Sequence, residues 1–378
     1  MRSWVDANTK KSLKTVLFLG VTYLIFNAQS AAVAAEEKVL NVYNWADYIA
    51  PDTIANFQKE TGIKVRYDNY DGNETLHAKL VARKSGYDIV VPASSWAKIQ
   101  LQGGLLQKLD KTQLPNWQNL DPAILTQLNQ VDPGNQYLVN WLWGYTTVGI
   151  NVDKVKKALG STPMPNNVWE LVFNPLYTNK LKGCGLGYLD SGSEVFPAVL
   201  HYLGKPAYSN NAADYTAAFD VLKKVRGDIK VFTSLGQIED IANGSVCVVL
   251  GWAGDFNLAH KRSVENKKPQ NIVALVPKNG GIMFMDTMAI PADAPHPHNA
   301  HLFINYILNP KVHASLTNAV TYANPNKAAT PYVDAEIKNN PSIYLSPADI
   351  SHLVPPDTVD NNTRRTITRL FTRFKSGL

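Results

Sequence analysis

The sequence predicts an α/β protein built of two lobes. Its 378 residues exceed the usual size of a single hydrophobic core, so two lobes are expected. The early part of the chain alternates strand and helix patterns, which is typical of a parallel sheet with helices on both faces. The sequence shows neither an internal repeat nor a low-complexity linker. We therefore expect several chain crossings that join the lobes as a hinge.

The first lobe is predicted from three strands and the helices between them. The strands are predicted over 39–44, 63–70 and 87–92, and the helices over 51–62, 73–82 and 96–101, with Asn73 as a helix cap. In parallel sheets of this kind, ligands bind beyond the carboxyl ends of the strands. Residues 44–48 and 92–96 follow the first and third strands, so these two segments are expected to contribute to a binding site.

The rest of the chain continues the mixture of strands and helices. Strands are predicted over 137–151, 246–252, 272–277 and 287–290, and helices over 214–226, 237–242, 300–308 and 361–376. The strand at 137–151 is expected to leave the first lobe, and the last helix carries a basic face. The first predicted lobe comprises 36–143 and 286–309, and the second comprises 144–285 and 310–378.

The first 35 residues have the pattern of a signal peptide. An uncharged apolar run over 16–26 precedes small residues at 31–35, which fit cleavage after Ala34 or Ala35. Four basic residues precede the apolar run: Arg2, Lys10, Lys11 and Lys14. The apolar run is short for a membrane span, although an uncleaved anchor is the alternative. The sequence therefore predicts an exported protein.

Export changes the interpretation of the charge and of the two cysteines. The formal charge is +6, of which the predicted signal peptide carries half, leaving about +3. That bias is too weak to indicate a nucleic-acid partner. Cys184 and Cys247 are the two cysteines of the chain. An even count in an exported protein favours one disulfide, and two buried free thiols are the alternative.

An aromatic residue precedes an acidic residue by two or three positions near three predicted strand ends. The pairs are Trp45 with Asp47, Trp252 with Asp255, and Phe284 with Asp286. Aromatic faces attract cations, and carboxylates form charge-assisted hydrogen bonds with ammonium groups. Two separated acids would select a dication. Each pair taken alone is explained as well by core packing of the ring and by a turn or cap at the aspartate.

Signals for catalysis or for a metal are weaker. The sequence contains no Gly-x-Ser-x-Gly elbow, no zinc-protease motif and no Cys-x-x-Cys. His296, His298 and His301 could chelate a metal, but they lie in a Pro-rich loop where Asp293 is the one nearby acid. Surface histidines are the favoured interpretation. No enzymatic activity, cofactor or metal is predicted.

Several strings, in order, carry a resemblance to a known family. They are residues 43–49, 87–92, 151–155, 194–196, 303–306, 322–324 and, the most specific, Gly251-Trp252-Ala253-Gly254-Asp255. Beyond the signal peptide, the chain resembles the periplasmic polyamine-binding proteins of ABC importers, especially their putrescine-binding branch. The resemblance implies a type II periplasmic binding protein fold, in which two α/β lobes joined by crossing strands close over a ligand. It also implies a disulfide between Cys184 and Cys247.

The resemblance further implies a set of ligand-binding residues. Trp45 and Trp252 would form a stacked aromatic clamp, and Asp255 and Asp286 would hold the ammonium groups. The complete expected set is Trp45, Asp47, Tyr48, Ser95, Glu194, Ser234, Trp252, Asp255, Phe284, Asp286 and Tyr322. The implied function is capture of a polyamine in the periplasm by a monomer, followed by delivery to a membrane ABC permease complex. A sensor that presents its liganded form to a membrane receptor, and an exported amine enzyme, are the alternatives.

The choice of polyamine depends on a few positions within that set. Asp255, Phe284 and Ser95 resemble the putrescine type, whereas the spermidine type tends to have a neutral residue and larger aromatic residues there. Ala46 and Ala93 depart from the family pattern because each replaces a hydroxyl-bearing residue. Putrescine is thus the expected ligand, with spermidine or a longer diamine as the alternative.

Overall fold

The computed structural model describes residues 36–378, which form one compact unit. The predicted signal peptide, residues 1–35, lies outside the described residues. Between residues 36 and 378, the helices are all too short or too polar to cross a membrane. The predicted lobe boundaries stay a prediction, but the two sheets described below are clearly separate.

The described residues form nine strands and sixteen α-helices. The strands are β1 (Val39–Trp45), β2 (Lys64–Tyr70), β3 (Ile89–Val90), β4 (Val139–Asn151), β5 (Leu186–Tyr188), β6 (Ile229–Phe232), β7 (Val248–Trp252), β8 (Ile272–Ala274) and β9 (Ile282–Met288). The helices are α1 (Thr53–Thr61), α2 (Asn73–Val81), α3 (Ser94–Gln102), α4 (Pro122–Leu128), α5 (Val152–Leu159), α6 (Glu170–Phe173), α7 (Pro175–Leu181), α8 (Gly192–Tyr202), α9 (Ala212–Val225), α10 (Gln237–Ala242), α11 (Ala253–Glu265), α12 (Pro297–Ile307), α13 (Pro310–Val320), α14 (Ala335–Lys338), α15 (Pro347–His352) and α16 (Asn361–Ser376).

The first sheet has the strand order β2-β1-β3, and all of its pairings are parallel. This confirms the parallel sheet that the alternating pattern predicts. Gly62 ends α1 in the left-handed conformation, as a glycine does at little steric cost. The predicted cap at Asn73 is wrong, because Asn73 is the first residue of α2 and Gly72 precedes it. The Asn73 side chain instead accepts a hydrogen bond from the Ala93 N–H at 3.0 Å, which holds the segment after β3 in place.

The second sheet has the order β6-β5-β7-β4-β8, with β9 also paired to β4. Strand β4 is buried along its whole length and is antiparallel to β9, β7 and β8. A further bridge joins Val90 of β3 to Ala289, just after β9. Strands β4 and β9 therefore pass from one sheet to the other, which confirms the predicted crossing strands.

Strand β9 differs from its prediction, and the difference affects the site. The sequence predicts a strand over 287–290, whereas β9 spans Ile282–Met288. Pairing with β4 over residues 139–146 fixes the observed position. Phe284 and Asp286 consequently lie inside a strand and not at its end. Because side chains two positions apart in a strand share a face, the ring and the carboxylate point the same way.

Cys184 and Cys247 form a disulfide, with their Cα atoms 5.5 Å apart. The prediction of one disulfide is confirmed. Cys184 lies just before β5 and Cys247 just before β7, two neighbouring parallel strands. The bond therefore links the starts of two strands that lead toward the cavity described below.

Replacing both cysteines by serine should lower the free energy of unfolding by about 3–4 kcal/mol, because the bond closes a long loop in the unfolded chain. The two residues are 63 positions apart. Urea denaturation of the variant and of the wild type measures the difference. A reducing agent should destabilise the wild type by a similar amount and leave the variant unaffected. A variant within 1 kcal/mol of the wild type would show that the bond contributes little.

Candidate functional site

A cavity lies between the two sheets, where β1 and β7 end and where β9 crosses. Its volume is about 670 Å³, counting the part open to solvent, which is within the usual range for small-molecule sites. The residues that line it are Trp45, Ala46, Asp47, Tyr48, Tyr70, Asp71, Asn73, Ala93, Glu194, Ser234, Leu235, Ile238, Trp252, Asp255, Phe284, Asp286 and Tyr322. All of the predicted ligand residues except Ser95 are among them. Ser95 lines a smaller neighbouring cavity, together with Glu194 and Phe284.

Elements of both sheets position these side chains. Trp45 is the last residue of β1, and Trp252 is the last residue of β7. Asp255 lies in the first turn of α11, directly after β7. Glu194 lies in the first turn of α8, and Tyr322 follows α13. The site is therefore assembled from segments far apart in the sequence, as expected for a cleft at the carboxyl ends of strands.

The aromatic side chains meet edge to face. The Trp45 and Trp252 ring centroids are 6.1 Å apart and their planes cross at 68°. Trp252 and Phe284 cross at 72°, and Tyr48 and Tyr322 at 90°. The expected stacked clamp of Trp45 and Trp252 is therefore not the arrangement in this structure. The rings do come together in one aromatic enclosure around the cavity.

Asp255 and Asp286 are buried, and each accepts a hydrogen bond from one tyrosine. The Tyr48 hydroxyl donates to Asp286 Oδ2 at 2.8 Å, and the Tyr322 hydroxyl donates to Asp255 Oδ1 at 2.5 Å. Burial, together with the negative charges of Glu194 and Asp255, raises the pKa of Asp286 to about 8, against the hydrogen bond from Tyr48. Burial also raises the pKa of Asp255 to about 6, against the hydrogen bonds from Tyr322 and Gln237. Both carboxylates are thus costly to ionise in the ligand-free protein.

Glu194 is a third cavity acid that is shielded from solvent, although less completely than the two aspartates. Its Oε2 accepts a hydrogen bond from the Thr146 hydroxyl at 2.7 Å, and burial raises its pKa. The ion pairs found within residues 36–378 include none with Glu194, Asp255 or Asp286. Three acids therefore share a poorly solvated space without a cationic side chain. A bound cation would supply the missing charge.

Asp47 differs from these three acids. Its Oδ1 lies 2.8 Å from Arg262 Nη2, and both side chains are partly exposed. Asp47 also has a φ of 53°, in the left-handed region that non-glycine residues seldom adopt. The Asp47 carboxylate is already paired with the Arg262 guanidinium. Asp47 lines the cavity, and this ion pair links the end of β1 to α11. The role of Asp47 in ligand binding stays a prediction, and its charge is neutralised by Arg262.

Two glycines of the Gly-Trp-Ala-Gly-Asp string are required by close contacts. A Cβ on Gly254 would overlap the Tyr322 ring, and a Cβ on Gly251 would overlap the Gln237 amide. Tyr322 and Gln237 are the two hydrogen-bond donors of Asp255, and Gln237 Nε2 lies 2.7 Å from Asp255 Oδ2. The string thus combines an aromatic wall, an acid, and the space that the donors of that acid need.

Sequence reasoning missed several residues of the site. Tyr70 ends β2 beside Trp45, with ring centroids 4.6 Å apart. The tendency of ligands to bind at the carboxyl ends of parallel strands could have identified Tyr70 as a site residue. Asp71, Leu235 and Ile238 also line the cavity. Gln237 and Thr146 had no signal, because their role depends on contacts between distant segments.

The three histidines of the Pro-rich loop have partners other than a metal. His296 Nδ1 lies 3.1 Å from Asp88 Oδ2, and His301 Nε2 accepts the Asp110 N–H at 2.9 Å. His301 is a buried residue of α12, so the prediction of surface histidines is wrong for that residue. Over the described range, no group of three or more His, Cys, Asp and Glu side chains is arranged to hold a metal.

Comparison with known proteins places the chain in a family. Residues 52–344 match the family described as bacterial extracellular solute-binding protein. The chain belongs to this family. It is 48% identical over 347 residues to the putrescine-binding periplasmic protein PotF of Escherichia coli, covering 91% of this chain and 93% of PotF. It is 44% identical to the putrescine-binding periplasmic protein SpuD of Pseudomonas aeruginosa, covering 97% and 99%.

Solved structures of solute-binding proteins have the same fold. The spermidine/putrescine ABC transporter substrate-binding protein PotD of Streptococcus pneumoniae superposes with a TM-score of 0.71 at 25% identity, covering 90% of this chain and 99% of that one. The predicted type II periplasmic binding protein fold is confirmed. The cavity between the two sheets of this solute-binding protein is consequently the place to look for its solute.

Proposed function

We propose that this chain captures a polyamine, putrescine foremost, and delivers it to the membrane permease complex of an ABC importer. The observation that carries the proposal is the cavity with two buried aspartates, the half-buried Glu194 and an aromatic enclosure, in which those three acids have no cationic partner among residues 36–378. The relatives at 44–48% identity are named for putrescine binding. We propose the periplasm as the site of capture, reached by cleavage of the predicted signal peptide at 1–35.

The preference for a diamine is argued from charge. Asp255 and Asp286, each held by a tyrosine, offer two carboxylates in one cavity, and a short dication can neutralise both. The aromatic rings around them provide cation–π contacts and cover the methylene chain. Ala46 and Ala93 line the same cavity without a hydroxyl group, so hydrogen bonding at those positions is weaker than in a site with serine or threonine.

Thermal-shift and calorimetric measurements on ligand-free protein test the proposal. We expect putrescine to bind with a Kd of about 1 μM or tighter, equivalent to about −8 kcal/mol. A panel of putrescine, cadaverine, agmatine, spermidine and spermine should rank by affinity, because bound ligand raises stability with the logarithm of concentration over Kd. Absence of binding to every member would refute the function, and a larger shift with spermidine would correct the ligand.

A further inference from the structure

The outer face of helix α16 carries an uncompensated row of arginines. Arg365, Arg369 and Arg373 recur every fourth residue, so they lie on one face over about 12 Å. All three are exposed, and residues 361–378 contain no acid. Within residues 36–378, none of the three takes part in an ion pair. Like charges at this spacing destabilise a helix, so the row is unfavourable for the fold by itself.

Helix α9 extends this positive surface. The Lys223 Nζ lies 5.4 Å from the centre of the Phe219 ring, and the Arg373 guanidinium carbon lies 5.0 Å from the same ring. One buried ring thus brings the basic faces of two helices together. Lys224 is also exposed, and Asp220 pairs with Lys223 at 3.1 Å. We call Arg365, Arg369, Arg373, Lys223 and Lys224 the basic ridge.

The basic ridge lies one helical row away from a groove that is continuous with the ligand cavity. On α16, the row next to the arginines contains Thr368 and Thr372, which line a groove of about 1100 Å³ open to solvent. Ser234 and Leu235 line both this groove and the cavity. A ligand that leaves the cavity on this side passes along α16. A partner that covers this opening would lie beside the basic ridge, which occupies the next row of α16.

Helix α16 also packs directly on the helix that carries Glu194. A Cβ on Gly192, the first residue of α8, would lie 3.0 Å from Ile367 and Phe371 of α16, so the two helices are in close contact. Two residues later, Glu194 lines the cavity. Ser193 lies between Gly192 and Glu194, and its hydroxyl donates to Glu74 Oε1 at 3.1 Å. Glu74 belongs to α2, the helix that connects β2 and β3 of the first sheet. A displacement of α16 would therefore move α8, and with it both Glu194 and this contact between the sheets.

We propose that the basic ridge is the docking surface for an acidic periplasmic surface of the importer's membrane permease. The inference rests on the proposed function, because it requires a permease that receives the ligand. Arginine suits such a surface because its planar guanidinium binds carboxylates in two-point contacts. Because α16 rests on α8, docking at the ridge displaces Glu194 and favours release of the bound cation.

Charge reversal of the ridge tests the proposal. The variant is Arg365→Glu/Arg369→Glu/Arg373→Glu, and the matched control is Lys59→Glu/Lys268→Glu/Lys338→Glu, three exposed lysines on other elements. Both should bind putrescine within threefold of the wild type by calorimetry. With the cognate importer in proteoliposomes, the protein concentration for half-maximal stimulation of ATP hydrolysis should rise at least tenfold for the ridge variant and stay unchanged for the control.

The possible failures separate the two hypotheses. Normal putrescine binding with unchanged half-maximal stimulation in the ridge variant would overturn the docking inference alone. No polyamine binding by the wild type would overturn the proposed function and the inference with it. Vesicles of phosphatidylethanolamine and phosphatidylglycerol without the importer provide a third arm. If they retain the wild type but not the ridge variant, the ridge binds lipid and the inference is wrong.

Discussion

Replacement of Asp286 by asparagine should abolish tight putrescine binding and at the same time stabilise the ligand-free protein. Asparagine keeps the shape of the side chain and can still accept the hydrogen bond from Tyr48. It removes the negative charge that would face a buried ammonium group. Loss of one partner of a buried ion pair costs about 3–5 kcal/mol, so the Kd should rise by about two to four orders of magnitude.

The gain in stability follows from the same burial. The pKa of Asp286 is raised to about 8 in the folded protein, chiefly by burial, whereas an aspartate in an unfolded chain titrates near 3.9. Folding therefore opposes the ionisation of Asp286, and the opposition is greatest at pH 8 and above. Asparagine has no such penalty. We expect the free energy of unfolding of the ligand-free variant to exceed that of the wild type by several kcal/mol at pH 8, with about 5 kcal/mol as the upper bound set by the difference of about four pKa units.

Calorimetry with putrescine and urea denaturation without it measure the two effects. Asp334→Asn is the matched control, since Asp334 is exposed, does not line the cavity and makes no side-chain cap hydrogen bond. The control should change neither quantity appreciably. Unchanged affinity in Asp286→Asn would remove this residue from the site. A loss of both affinity and stability would show instead that Asp286 is needed for the fold.

Much of the architecture could be predicted from local sequence patterns. Strand β1, helix α1 and helix α10 lie within about one or two residues of their predicted bounds, because apolar spacing and terminating glycines act locally. The pairs Trp45 with Asp47 and Trp252 with Asp255 follow strand ends as predicted. Their convergence in one cavity could not be derived from spacing, and the family resemblance supplied it.

The remaining features depend on contacts between distant segments. Strand β9 is positioned by pairing with β4, which lies more than 130 residues earlier in the chain. The local sequence pattern does not contain this pairing and therefore predicted the strand at 287–290, several residues too late. The neutralisation of Asp47 by Arg262 depends on a contact across more than 200 residues. The hydrogen bond from Gln237 to Asp255 requires a glycine at 251, which sequence patterns do not relate to residue 237. Patterns along the chain identify candidate acids but not their electrostatic partners.

Affinity for putrescine should increase steeply with pH between 5 and 8. In the ligand-free protein, burial holds the pKa of Asp286 at about 8 and that of Asp255 at about 6, so both bind protons that a dication must displace. The Kd should therefore rise about tenfold for each pH unit lost between 8 and 6, and more steeply below 6. Over the whole interval we expect a change of more than a thousandfold.

Two further measurements test the assignment of this pH dependence to the buried acids. At pH 7, calorimetry in phosphate and in Tris should reveal release of about one proton per putrescine bound, mainly from Asp286. A constant Kd between pH 8 and pH 6 would contradict the raised pKa values.

The stability of the ligand-free protein should change with pH in the direction opposite to the affinity for putrescine. A carboxyl with a raised folded-state pKa binds more protons when folded, so stability falls as pH rises from about 4 to about 8. Affinity and ligand-free stability thus have opposite slopes because the same carboxylates, costly to ionise in the empty cavity, are the groups that a bound dication neutralises.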